Sequence, residues 1–164
     1  MAKLIVVEGD KVEGVDRHNV SGNATNPSGT PPTIPYVGVA EFEYAGAMTD
    51  ALSDFVRIDG TAVALVSSKS SLDIGEDVPV AGKHSGPQGS NFIPPSPAPI
   101  AASLSITDPV GEGTPSATSG SGFVRVAEDA MLLDGDSIDT CDGLSIPMNS
   151  TVTAEGQDFV SCSE

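Results

Sequence analysis

The run Phe55-Val56-Arg57-Ile58-Asp59-Gly60-Thr61-Ala62-Val63-Ala64-Leu65-Val66 lies without gaps on Phe123-Val124-Arg125-Val126-Ala127-Glu128-Asp129-Ala130-Met131-Leu132-Leu133-Asp134. Phe, Val, Arg, Ala and Leu coincide, and Ile58 corresponds to Val126. Both copies read as strand, turn, strand. At period two, Val56 and Ile58 share one sheet face, as do Val124 and Val126. A hairpin that recurs within one chain predicts a pseudo-symmetric all-β body. A weaker echo links Val7-Glu8-Gly9-Asp10 to Ala154-Glu155-Gly156-Gln157.

The rest of the chain fits that prediction. Its 164 residues suit one domain. Eighteen glycines and 13 prolines, with no tryptophan and 4% aromatics, argue against a helical bundle and for short strands joined by tight turns. A first strand is expected over residues 3–7, turning at Glu8-Gly9-Asp10, and a polar loop over residues 21–35. Phe42, Ala45, Met48 and Leu52 recur near helical spacing, which predicts one short helix between residues 41 and 54. Between the hairpin copies, residues 67–122 read as a loop-rich insertion, with an extended proline-rich stretch over residues 84–107.

The formal charge is −16, and nine acids but no basic residue follow Arg125. A nucleic-acid partner needs cations to replace phosphate counterions, so that class is excluded. An anionic membrane surface would repel the chain. The apolar run Leu4-Ile5-Val6-Val7 meets Glu8 at once, too short for a secretory signal. Synthesis in the cytoplasm, with any export by another route, is expected.

Catalytic motifs fail one by one. Gly75 and Gly82 are too far apart for a phosphate loop, and His84 stands where a magnesium-binding hydroxyl belongs. Gly111-Glu112-Gly113 lacks the third glycine of a dinucleotide loop. Asp134-Gly135-Asp136-Ser137-Ile138-Asp139 begins like a calcium loop, but Ile138, Asp139 and Ser145 occupy positions that need a ligand, a glycine and a bidentate glutamate. No G-x-S-x-G elbow occurs. What remains is a set of soft ligands: His18, His84, Cys141 and Cys162, the composition of a tetrahedral zinc site. Their spacing is not that of a zinc finger. Surface histidines, or a Cys141–Cys162 disulfide in an exported protein, are the competing readings.

Pro31-Pro32-Thr33-Ile34-Pro35-Tyr36, the hairpin at residues 55–66 with Ser67-Ser68 after it, and then Gly75-Glu76-Asp77, resemble in that order the hallmarks of the PAAR-like proteins. The match covers residues 30–78, and the repeat at 123–134 extends it in kind. These proteins form the sharpened tips of contractile injection machines: type VI secretion systems, phage-like tails and extracellular injection particles. The resemblance implies a small conical all-β body with pseudo-threefold repeats and long Gly/Pro-rich loops. It further implies a non-enzymatic structural role, one tip capping each trimeric VgrG-type β-helical spike of a particle that acts outside the cell. Zinc near the apex would fall to His18, His84, Cys141 and Cys162. The family often uses three histidines and one cysteine, so this two-plus-two set departs from its pattern. No further domain is expected beyond Cys162, so effector cargo would be a separate partner. Two alternatives stand beside the tip. One is a secreted metal-dependent β-domain enzyme, which would keep an open coordination position. The other is an adaptor that loads an effector through the proline-rich loop.

Overall fold

The computed structural model describes residues 2–26, 29–72, 84–85, 101–107, 112–140 and 150–163. Three apolar runs, residues 4–7, 62–66 and 130–133, meet at its centre. Each is apolar at successive positions, rather than alternating, because both of its faces are covered. Among the described residues the strands run in chain order: β1 (Ala2–Leu4), β2 (Lys11–Thr25), β3 (Thr33–Asp50), β4 (Arg57–Ile58), β5 (Thr61–Ala62), β6 (Lys69–Leu72), β7 (His84–Ser85), β8 (Ala101–Ile106), β9 (Glu112–Pro115), β10 (Arg125–Val126), β11 (Asp129–Ala130), β12 (Ser137–Asp139), β13 (Ser150–Thr153) and β14 (Ser161–Ser163). Among the described residues there is no helix. The body is all-β, as the sequence predicts.

Six strands close a barrel, in the order β2, β3, β6, β9, β12, β13 and back to β2. Closure removes the open edges that so many short strands would otherwise expose. β2 and β3 continue past the barrel as a long antiparallel ribbon, paired from Lys11↔Ala47 to Thr25↔Thr33. β8 adds to the ribbon alongside β2, and β7 alongside β3. One end of the barrel carries three two-stranded pairs: the hairpins β4–β5 and β10–β11, and the pair β14–β1.

Two apolar clusters follow from the alternation of the central runs. Val6, Ala64 and Leu132 turn into the barrel with Val12, Met48, Ile138 and Val152, all fully buried. Their chain neighbours Ile5 and Val7, Val63 and Leu65, and Met131 and Leu133 turn the other way, beneath the hairpins. Burying side chains of this size contributes about 1.5–3 kcal/mol each. Further along the barrel the filling becomes polar. Tyr44 OH lies 2.9 Å from Ser70 Oγ, and Thr140 Oγ1 lies 2.8 Å from Ser150 Oγ, so these buried hydroxyls satisfy one another.

Gly113 on β9 leaves the room this layer needs. A Cβ there would collide with Ser70 Oγ and come within 2.8 Å of Ile138 Cγ2 and 2.9 Å of Thr140 Cγ2. Gly113→Ala is therefore expected to lower stability by about 1–3 kcal/mol, the usual cost of overpacking. Thermal or denaturant unfolding of the purified variant checks this.

Three expectations need correction. The short helix between residues 41 and 54 is not formed: β3 runs through Asp50, followed by an irregular turn. Of the positions behind that expectation, Met48 and Leu52 are four apart, which is both one helical turn and two strand periods, and Met48 is buried by an extended chain. The polar loop is shorter than residues 21–35, since Ser21 to Thr25 pair with Val37 to Thr33. Only the stretch after Thr25 turns, tied by Asn26 N–H to Pro32 O at 2.9 Å and Asn26 Nδ2 to Pro31 O at 2.8 Å. Finally, the stretch 67–122 is not one insertion. It supplies barrel strands β6 and β9 and the ribbon strands β7 and β8, while residues 73–83, 86–100 and 108–111 lie outside the described residues.

Candidate functional site

The repeated hairpins share the hydrogen bonds that shape them. Ser53 N–H donates to Val63 O, and Ser121 N–H to Met131 O. Ser53 Oγ accepts from Val56 N–H at 3.0 Å, and Ser121 Oγ from Val124 N–H at 3.1 Å. Arg57 Nη1 donates to Gly60 O, and Arg125 Nη1 to Glu128 O, each guanidinium bracing its own turn. The turns match as well: Asp59 (φ 48°) and Ala127 (φ 56°) share the left-handed conformation at the same position.

A third copy exists, split between two distant parts of the chain. Residues 155–163 supply its first strand and residues 2–10 its second. Ile5 N–H donates to Val160 O at 3.1 Å, as Val63 N–H does to Val56 O and Met131 N–H to Val124 O. The echo between residues 7–10 and 154–157 therefore has a different meaning: those segments face each other within one copy. Asp10 Oδ1 accepts from Glu155 N–H at 2.8 Å and Gly156 N–H at 2.6 Å.

We label the copies facet I (residues 51–68), facet II (residues 119–136) and facet III (residues 155–163 with 2–10). They close around an axis. Val6 N–H donates to Leu132 O, Leu132 N–H to Ala64 O, and Ala64 N–H to Val6 O, at 3.0, 3.0 and 2.9 Å. A second set of bonds links the facets in the opposite order, with Glu8 N–H to Ala62 O, Val66 N–H to Ala130 O and Asp134 N–H to Leu4 O. Each facet is also closed upon itself. Val7, Leu65 and Leu133 donate their N–H groups to Asp10 Oδ2, Ser68 Oγ and Asp136 Oδ2. The calcium-like Asp134 and Asp136 are thus spent on backbone donors, Asp134 Oδ1 taking Ala154 N–H and Asp136 Oδ2 taking Gly120 N–H as well.

This symmetry places one phenylalanine per facet on the surface: Phe55 is 72% exposed, Phe123 78% and Phe159 65%. Among the described residues only one other large apolar side chain, Val37, is as exposed. The three exposed rings thus repeat with the facets. Phe159 escaped the sequence reading. Its signal was present, since Ser53-x-Phe55-Val56, Ser121-x-Phe123-Val124 and Gln157-x-Phe159-Val160 share a pattern. It was hidden because the strand completing that copy comes from residues 2–4.

The four soft ligands are not treated alike. His18 on β2 and His84 on β7 stand opposite the same residue of β3, Ala40, one from each side. With one strand between them, their backbones are about 10 Å apart. Cys141 lies outside the described residues, in the stretch joining β12 to β13. Cys162 is a free thiol on β14, opposite Lys3, and packs against the apolar cluster beneath the hairpins at the place of Ile58 and Val126. His18 lies seven positions beyond the start of β2, about 20 Å along the ribbon and away from the hairpins. The structure brings the histidines to one register and leaves Cys162 apart from them. Among the described residues no group of three or more His, Cys, Asp or Glu is arranged to hold a metal ion.

Scans against protein-family models, curated proteins and solved structures each return no match.

Proposed function

We propose that this protein is a non-enzymatic spike tip whose threefold face caps a trimeric β-helical spike of the VgrG type in a contractile injection particle. The observation that carries this reading is the trio Phe55, Phe123 and Phe159, one per facet of a closed threefold ring. A lone chain gains nothing from exposing three equivalent aromatics. A homotrimer offers three identical surfaces about one axis, so one such chain satisfies all three at once. Aromatic anchors of this kind dominate interface energetics. The ribbon of β2 and β3 leaves the barrel at the end opposite the hairpins, which suits a point directed away from the spike.

The decisive measurement is the stoichiometry of the purified chain mixed with a trimeric VgrG-type spike protein, by native mass spectrometry. One chain per trimer supports the reading. No complex, or three chains per trimer, rejects it.

For zinc, the fit is partial. His18 and His84 share a register across one strand, and Cys141 follows β12 in sequence, so these three are the ligands we propose. Cys162 does not fit, for it fills an apolar position of facet III. A bound zinc would cross-link neighbouring strands of the ribbon. The expected result is one zinc per chain by elemental analysis, lost in His18→Ala and His84→Ala and retained in Cys162→Ser. Retention in both histidine variants would reject the assignment.

A further inference from the structure

Facet III differs from its two equivalents in how its strands are joined. In facets I and II a turn, Asp59-Gly60 or Ala127-Glu128, joins the two strands covalently. In facet III, β14 and β1 pair over Ala2↔Ser163, Lys3↔Cys162 and Leu4↔Ser161 with no such turn between them. The arginine that braces the other turns is replaced by Ser161. A three-residue antiparallel pair without a turn is marginal alone.

Polar side chains stand where the turn is missing, and they reach from one half to the other. Gln157 replaces the serines of facets I and II. Its Nε2 donates to Ile5 O at 2.8 Å and Val160 O at 2.9 Å, and its Oε1 accepts from Phe159 N–H at 3.1 Å and Val160 N–H at 2.7 Å. Asp10, buried, accepts from Val7 within its own half and from Glu155 and Gly156 in the other. Lys11 Nζ sits 3.0 Å from Glu155 Oε2, and that hydrogen bond and charge raise the lysine above its ordinary pKa.

We infer that facet III is a latch: residues 155–163 detach from residues 2–10 and re-dock as their own cooperative unit while the barrel and facets I and II stay folded. Residues 155–163 carry Phe159, so the face alternates between two-facet and three-facet states, and only the latter matches a trimer. This regulation rests on the docking reading above, but the latch itself is measurable without any partner. Gln157 is a positioning residue, holding Phe159 through the backbone of Val160 and Ile5.

Native-state hydrogen exchange on the full chain tests it. The amides of Gly156, Phe159 and Val160 are expected to exchange about tenfold or more faster than their equivalents Gly120, Phe123 and Val124, and faster than the axial amides of Ala64 and Leu132. In full-length Gln157→Ala that gap widens, while exchange in facets I and II is unchanged. Equal protection in all three facets overturns the inference. So does a Gln157→Ala chain that loses protection everywhere, because the facet would then be part of the global fold. Failure to bind a spike trimer, with the exchange gap present, would reject the docking role and leave the latch standing.

Discussion

Serine at Phe55, Phe123 and Phe159 together is expected to abolish capping of a trimeric spike while leaving the fold intact. All three rings are mostly in solvent, so the triple variant loses little native packing, and its unfolding transition should move by no more than a surface substitution does. In a complex the same rings become central. A buried aromatic anchor typically carries about 2 kcal/mol or more, a loss of roughly thirtyfold for each ring removed. Because each ring sits in its own copy of the facet, their contributions should combine almost independently, and the triple loss should exceed about a thousandfold. Titration calorimetry against a trimeric VgrG-type spike protein, with single, double and triple variants, reads this directly. The singles carry a sharper demand. If the partner is a true threefold, Phe55→Ser and Phe123→Ser should cost about the same, since their facets share the bonds that shape the hairpin. A large cost at one position and none at the other two would mean that the partner is not a trimer.

How much of this was legible in the sequence depended on whether local pattern or chain path carried the information. The two hairpins were readable because each is contiguous: Phe55 to Val66 and Phe123 to Asp134 contain their own turn and their own alternation. The third copy was not, since hydrogen bonds from Glu155 N–H to Asp10 and from Gln157 Nε2 to Ile5 O join positions that no window on the sequence compares. β3 was misjudged for a different reason. Met48 and Leu52 are four apart and satisfy both the helical and the strand period, and only the register of β3 with β2 decides between them. The soft ligands show the limit of counting. Four residues made a complete zinc set on paper, yet Cys162 occupies the place taken by isoleucine and valine in the other facets, where a small hydrophobe is what the core requires. His18 and His84 meet at Ala40 only because β7 adds to the ribbon, which nothing near either histidine announces.

The axial ring offers the largest effect on stability and the most direct test of the symmetry. Val6, Ala64 and Leu132 are equivalent, fully buried and members of one cluster, so three unequal side chains fill one shared space. Leu132→Ala should cost about 3–5 kcal/mol, because it removes buried methyl groups at a point where a ring of backbone hydrogen bonds holds the walls apart. That is a large share of the ~5–15 kcal/mol available to a domain of this kind. Ala64→Leu alone should also destabilise, by about 1–3 kcal/mol, through overpacking. Combining them moves the leucine from one facet to the next and restores the summed volume. If the axis is a real threefold, the double variant should recover more than half of the loss caused by Leu132→Ala, with a coupling energy of about 1–3 kcal/mol and favourable sign. Urea unfolding of the four chains in the cycle measures it. Simple addition of the two penalties would mean that positions 64 and 132 do not share a space. The hairpins would then be similar in sequence without being related by an axis, and three phenylalanines would no longer point to a trimeric partner.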